Sequence, residues 1–548
     1  MSDVRQQPMD TDAQPVGTVD AVVVGAGFAG LYMLHRLRER GLSVQVYEAG
    51  SGVGGTWYWN RYPGARCDIE SMDYSYSFSP ELEQEWEWTE RYSSQPEILR
   101  YLHHVADRFD LRRNITLATR VTSAVFDEMT NRWAIETDRG DVVSATYLIM
   151  ATGCLSVPNR PTFKGLDSFT GPWYHTGAWP HDGVDFTGQR VGVIGTGSTA
   201  IQAIPRIATQ AAHLVVFQRT PNFSMPAWNG PLDPAFQRQR KATYREHRRQ
   251  ARESAIGVPV EVTALSTMSA LAVSPEERQR EMESRWTYGG FRLVGSFNDV
   301  LINKQANETV AEFVRQKIRA IVHDADVADL LCPKDHPIGT KRPCVDIAYF
   351  QTYNRDNVTL VNVRHAPIAE ITPTGLRTQD AAYDLDSIVF ATGFDAMTGA
   401  LFNMDIRGRG GKTLKEAWAE GPRTYLGLMT AGFPNMFTMT GPGSPSVLSN
   451  MVVSIEQHVD WIADCLQYLR AHDLRCIEPT VAAQDLWVGH VNEIGNDTLY
   501  PEANSWYVGA NIPGKPRVFM PYVGGVGTYR KTCDEVAANG YQGFTQSP

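Results

Sequence analysis

Apolar residues run unbroken from Ala21 to Val24 in "VDAVVVGAGFAGLYMLHRLRERGLSVQVYEA", then recur at helical spacing, with Leu31, Leu34 and Leu37 on one face. A short continuous apolar run predicts a buried parallel strand, and the 3.6-residue period predicts a helix packed on it. Gly41 stops the helix, and a second strand from Ser43 to Tyr47 ends at Glu48. The same strand, turn, helix, strand order returns 170 residues later in "QRVGVIGTGSTAIQAIPRIATQAAHLVVFQRT", whose last strand ends at Arg219. From about 226 to 334 the pattern turns helical and charged. Ser274-Pro275-Glu276-Glu277 supplies an N-cap, a proline at the first helical position and an acid at the third. Val310, Phe313, Val314, Ile318 and Ile321 form one apolar stripe. The basic run from Arg238 to Arg252, punctuated by Glu246 and Glu253, reads as a solvated helix face. Strand patterns resume after 335 in "NVTLVNV", "IAEITPTGLRT" and "DSIVFATGFDA". The last resembles "YLIMATGCLS" at 147–156, since both are apolar strands ending in Ala-Thr-Gly. A helix is predicted from Met451 to Leu469.

The bulk numbers narrow the class. A chain of 548 residues is too long for one core, so two to four domains are expected. Hydrophobic content of 43% and charged content of 20% are those of ordinary globular proteins. A net charge of -10 disfavours nucleic acid as a partner. Seven scattered cysteines without a C-x-x-C pair or histidine clustering suggest a reduced, cytoplasmic protein with no disulfide and no metal site. Residues 1–18 are polar and read as a loose tail. The stretch "AVVVGAGFAGLYML" is too short and too interrupted for a signal core or a membrane span.

Both apolar turns carry glycine signatures: Gly25, Gly27 and Gly30 form G-x-G-x-x-G, and Gly195, Gly197 and Ala200 form G-x-G-x-x-A. The first glycine permits the tight turn and the second lets the backbone approach a pyrophosphate. The third position keeps the helix close to the sheet, and the helix N-terminus faces the negative charge. The residues at the strand ends separate the ligands. Glu48 can accept hydrogen bonds from ribose hydroxyls, as FAD or NAD requires. Arg219 is a cation where an NAD site would carry an acid, and suits the 2′-phosphate of NADP. The economical assignment is FAD in the first fold and NADPH in the second. The remaining NADP contacts are assigned to Thr196, Ser198, Thr199, Gln202 and Thr220, around the second turn and strand end. Disulfide reductases built this way carry a redox-active cysteine pair. Cys67 and Cys154 are isolated, so O2 is the expected second substrate.

Between the two signatures lies "FTGPWYHTGAWP". Phe169, Gly171, His175, Trp179 and Pro180 match F-x-G-x-x-x-H-x-x-x-W-P, the signature of the type I Baeyer–Villiger monooxygenases. Further agreement comes from "GGTWYWNRYPGARCDIES", "GTKRP", "ATGFDAMTGALF", "GPGSPSVLSNM" and "NSWYVGANIPGKPRVFM". The resemblance covers nearly the whole chain and points to the branch that contains phenylacetone, steroid and cyclohexanone monooxygenases. Related flavoenzymes that oxygenate nitrogen or sulfur carry a similar motif without the Trp-Pro ending. They are the first alternative, and a catalytically silent FAD/NADPH-binding sensor is the second.

The resemblance implies an α/β fold with two Rossmann-like dinucleotide-binding domains, for FAD and NADP, and a helical insertion. The FAD domain would comprise 1–155 and 387–548, the NADP domain 156–225 and 335–386, and the insertion 226–334. It implies a flavin that NADPH reduces, that captures oxygen as a C4a-peroxide, and that attacks a ketone to give an ester or lactone. Two anions then need a fixed cation. The resemblance assigns that role to Arg342, oriented by Asp68. It further implies FAD contacts from Thr56, Trp57, Tyr58, Trp59, Asp68, Tyr74, Val121 and Met451, and NADP contacts from Arg66, Lys341, Arg342 and a mobile-loop Trp506. His175 and Trp179 would set the joint between the two domains, while Ser446, Val447 and Leu448 would border substrate. The expected partners are a small ketone and O2, with no nucleic acid and no membrane, and the chain is expected to be a monomer. The sequence offers no charged anchor for substrate, so bulky apolar ketones, aryl or cyclic, are favoured over keto acids, with sulfoxidation as a side activity.

Overall fold

The computed structural model describes residues 17–259 and 266–548. The expected polar tail lies outside the described residues as far as residue 16; residues 17 and 18 open the first strand. Each glycine signature organises its own sheet. Gly17–Val24 is the middle of an eight-stranded sheet, flanked in parallel by Val44–Tyr47 and Val142–Met150. Val121–Asp127 and Arg132–Thr137 extend that sheet antiparallel. Chain from far downstream completes it: Asp405–Arg407 pairs with Val121–Asp127, and Met436–Thr438 pairs with Val142–Met150. The second sheet is fully parallel, in the order Val358–Asn362, His213–Gln218, Arg190–Ile194, Ser387–Phe390 and Trp173–His175. Parallel strands with helices on their faces are buried on both sides, which explains why these strands read as apolar runs.

The helical predictions match closely. Phe28–Glu39 follows the first turn and buries Leu31, Leu34 and Leu37 completely. Ser274 caps Pro275–Tyr288 with both halves of the capping box. Lys304–Ile321 buries Val310, Phe313, Val314 and Ile318, and the long helix runs from Met451 to Ala471. All seven cysteines are free and buried, and among the described residues no group of side chains could hold a metal. Among the described residues no helix is long and apolar enough to cross a membrane.

The basic run is not uniformly solvated. Arg249 is exposed between Glu246 and Glu253. Arg248, one residue earlier, is buried and donates to Glu83 (2.8 Å), to the Asp73 carbonyl (3.2 Å) and to Ser75 (2.7 Å). Sequence spacing could not reveal this, because the partners come from residues 73–83, far upstream.

Candidate active site

The two glycine turns are built alike. Gly25 has φ +107°, and a Cβ there would lie 2.6 Å from the Ala151 carbonyl oxygen. Gly195 has φ +114°, and its Cβ would lie 2.5 Å from the Ala391 oxygen. The two Ala-Thr-Gly strand ends are therefore what each turn packs against. Their amides complete the match: Ala151 donates to Val24 and Ala391 donates to Ile194, both at 2.9 Å. A Cβ on Gly30 would fall 1.8 Å from the Gly25 oxygen, so helix and turn are in direct backbone contact. Neither following helix has a side-chain cap or an acid in its first turn. Free N–H groups and the positive end of the helix dipole remain available to an anion. A Cβ on Gly197 would meet nothing within 4 Å, so the second turn faces open space. These features fit a pyrophosphate at each turn.

The strand-end residues also fit. Glu48 is buried and accepts from the Ala26 and Gly50 amides, both at 2.7 Å. Burial pushes its carboxyl upward while those two bonds pull it down. Arg219 is exposed at its strand end and, among the described residues, has no ion-pair or hydrogen-bond partner. Lys341 lies close enough that Arg219 and Arg364 add to the effect of burial in lowering its pKa, against the pull of Asp335. Asp335 is engaged by Arg364 (2.5 Å) and His336 (2.7 Å). Arg364 pairs with this carboxylate, and Lys341 with Arg219 beside it leaves positive charge for a 2′-phosphate. Thr196 donates to the Thr220 carbonyl (2.8 Å), which fixes the loop between turn and strand end. Ser198 lies 3.1 Å from Cys344, Thr199 faces Tyr62, and Ala200 is fully buried.

The two units meet at Gln202, which accepts from Tyr62 (2.8 Å) and the Arg66 amide (3.3 Å) and donates to the Arg66 carbonyl (3.1 Å). The Arg66 guanidinium itself points elsewhere, to Glu90 and the Tyr92 carbonyl, both at 2.8 Å. Its backbone, rather than its charge, reaches the second unit. In the first unit, Trp57 donates to the Tyr74 hydroxyl (3.3 Å), and Tyr58 bonds Ser51. Thr56 is exposed and Trp59 half-buried on the same short helix. Met451 opens the long helix and packs against both the cluster that holds Trp57 and the one that holds Val447 and Tyr507. Val121 is buried in the cluster on the opposite sheet face that also holds Val24 and Tyr47.

Arg342 and Asp68 form a two-pronged ion pair: Nε to Oδ2 at 2.9 Å and Nη2 to Oδ1 at 2.8 Å. A third donor, Nη1, reaches the Val447 carbonyl at 2.6 Å. Burial opposes the charge, but Asp68, with Tyr507 and Cys67, outweighs it and holds the guanidinium above the usual arginine range. The pair lines a cavity of about 200 Å³ whose wall includes Val447 and Leu448. Ser446 is placed differently from the expectation. It is fully buried behind the wall, donates to the Thr440 carbonyl (3.1 Å) and touches the Cys154 sulfur. Its φ of +35° turns the chain so that Val447 and Leu448 face the cavity instead.

Several cavity residues were not among those expected. Phe291 and Arg292 come from the helical insertion, and Tyr500 and Tyr507 from the loop carrying Trp506. Phe291 lies under the Arg342 guanidinium, 5.2 Å from Cζ to ring centroid. Burial pushes the Tyr507 hydroxyl up to about 12, and Arg342 beside it pulls the other way. Trp506 is half-buried against Tyr507, with ring centroids 4.3 Å apart.

His175 lies where the chain passes between the two units. Residues 154–159 run antiparallel to 393–397, tied by Asn159–Gly393, Asp395–Val157 and Met397–Cys154 bonds. The His175 Nδ1 accepts from the Gly177 amide (3.0 Å), which leaves Nε2 to donate to the Thr392 hydroxyl (3.1 Å). Thr392 in turn donates to the Asn159 carbonyl (2.8 Å), so the imidazole holds both crossing strands. Burial lowers the His175 pKa to about 4. Trp179 is placed otherwise: it packs with Tyr174 and Phe186 inside the second unit.

Residues 22–264 match the family model described as pyridine nucleotide-disulphide oxidoreductase. The chain is 47% identical to a Baeyer-Villiger monooxygenase of Pseudooceanicola batsensis, with 95% of each chain covered. Among solved structures, an oxidized steroid monooxygenase bound to NADP superposes with a TM-score of 0.92 at 58% identity, covering 97% of this chain and 99% of the other. OTEMO in complex with FAD and NADP superposes at 0.93 with 43% identity, covering 98% and 100%. The chain belongs to the type I Baeyer–Villiger monooxygenases, NADPH-dependent FAD enzymes that act on ketones.

Proposed function

We propose that the protein converts a ketone, O2, NADPH and a proton into an ester or lactone, NADP+ and water, and that Arg342 is the group stabilising the anions formed on the way. The carrying observation is the Arg342–Asp68 pair at the wall of an apolar cavity. Bound FAD would supply the redox chemistry that activates O2. The protein's own contribution is electrostatic. Arg342 presents a charge fixed in place by Asp68 and the Val447 carbonyl, so no reorganisation is needed when negative charge develops nearby. The turns at Gly25 and Gly195 hold the two pyrophosphates, and Arg219 with Lys341 selects the phosphorylated coenzyme. Trp506 and Tyr507 exclude water from the cavity side of Arg342, and His175 steadies the strands about which the units would reorient. The units follow the boundaries expected from the sequence, except that the strand Ser387–Phe390 goes with the second sheet and not with the first unit, and the enzyme works as a monomer.

Val447, Leu448 and Phe291 suit aryl, cyclic and other bulky apolar ketones, with aryl sulfides oxidised alongside. The test is direct. Purified yellow protein is mixed with NADPH, oxygen and, in parallel, an aryl ketone or an aryl sulfide, and ester or sulfoxide is sought by mass. Sulfoxide formation without any ester would favour a sulfur oxygenase, and bound cofactors with neither product would favour a sensor.

A further inference from the structure

The ketone cavity holds more charge than its apolar wall suggests. Asp68, Glu70, Asp73, Arg292 and Arg342 all line it. Each carboxylate is already matched. Asp68 takes Arg342. Glu70 accepts from Arg91 through Nε (3.2 Å) and Nη2 (2.7 Å). Asp73 meets Nε2 of His247, whose Nδ1 faces Arg240. Arg292 is different. Its Nε is buried without a hydrogen-bond partner, and among the described residues no carboxylate lies within ion-pair distance of its guanidinium, which stacks on the Tyr288 ring. Glu70 attracts it through space, but the same Oε1 is taken by Arg91 and approached by the Tyr288 hydroxyl at 3.4 Å.

This placement is built into the backbone. Gly289 and Gly290 both have positive φ, at +84° and +67°. A Cβ on Gly289 would lie 2.3 Å from the Pro226 oxygen, and one on Gly290 2.4 Å from the Tyr92 hydroxyl. The turn is thereby pressed against its neighbours and delivers Phe291 and Arg292 to the cavity wall. Phe291 packs under Arg342, and Arg292 follows it in the chain on the wall of the same cavity. A buried N–H without an acceptor is costly, and a guanidinium is shaped to grip a carboxylate with two parallel bonds.

We propose that Arg292 is a specificity residue that anchors an anionic group of the substrate. The cavity then takes ketones bearing a carboxylate remote from the reacting carbonyl, in addition to neutral ones. The proposal rests on the reading of this cavity as the ketone site.

The experiment compares para-carboxyphenylacetone with its methyl ester on the FAD-loaded enzyme with NADPH. The readout is the ratio of kcat/KM, acid over ester, with product identified by mass. In Arg292→Gln that ratio is expected to fall roughly ten- to a hundredfold, the size of a charge-assisted bond. Arg292→Lys, which keeps the charge, should retain most of it. Arg292→Glu should move the preference toward para-aminomethylphenylacetone. A ratio unchanged within about threefold in both Arg292→Gln and Arg292→Glu, against the charge-assisted effect expected, overturns the anchor even if both compounds are turned over. A wild type that makes product from neither compound overturns the ketone reading on which the anchor depends.

Discussion

Replacing Arg342 by alanine separates the two halves of the reaction. Hydride transfer from NADPH creates no oxyanion, whereas oxygen insertion creates two. Arg342 donates to Asp68 and to the Val447 carbonyl, so its charge is held in position before any anion forms. Removing one preorganised donor of this kind costs about 2.7–4 kcal/mol, or about 10²–10³ in kcat. The substitution also strands the Asp68 carboxylate. Breaking a buried pair costs about 3–5 kcal/mol of stability. Here the two side chains are 24% and 21% exposed, and solvent screening lowers that to roughly 2–3 kcal/mol. Arg342→Ala combined with Asp68→Asn removes the stranded charge, and should recover stability without recovering ester formation. Anaerobic stopped-flow measurement of flavin bleaching by NADPH should give a near-normal rate in both variants, while ester yield falls by two orders of magnitude or more, the expected loss for such a donor. Ester formation by Arg342→Ala within about tenfold of wild type, less than any loss expected for such a donor, would remove Arg342 from its assigned role.

Other consequences are equally open to measurement. Arg219→Ala should cost about ten- to a hundredfold in kcat/KM for NADPH and little for NADH; equal use of both coenzymes by the wild type refutes the phosphate assignment. Val447→Trp narrows a cavity of about 200 Å³ and should depress turnover of the largest ketones first, so a uniform loss across a size panel contradicts the wall assignment. His175 has a pKa of about 4 against 6.5 when free, so between those values the unfolded chain binds the proton and the folded protein does not. Stability should therefore fall as pH drops from 6.5 toward 4. This residue contributes about 3 kcal/mol to that fall, and His175→Gln should flatten the acid limb of a plot of Tm against pH. An unaltered limb would show that the imidazole is not buried in its neutral form.

What the sequence determined by itself is local. The turns at Gly25 and Gly195 require positive φ, and the helix after each starts where its glycine removes the competing side chain, so a few adjacent residues suffice to specify them. The Ser274 capping box and the stripe on Lys304–Ile321 are legible for the same reason. Arg219 and Glu48 are legible because a strand end fixes where its last residue points. The family signature carried the rest of the expected site, and the structure brings Arg342 and Asp68 together across 274 residues, a pairing that spacing alone cannot give. Tertiary structure alone decided which charges are buried. Arg248 and Arg249 are neighbours in one basic run, yet only Arg248 meets Glu83 and leaves the solvent. Ser446 and Val447 are adjacent in one motif, yet the positive φ at Ser446 sends only Val447 to the cavity. Arg292 reads as an unremarkable residue of a glycine-rich turn until the fold places it at the cavity with, among the described residues, no acceptor for its buried Nε. Backbone conformation is set by near neighbours, but the environment of a charged side chain is set by whatever distant chain packs against it. No periodicity records that.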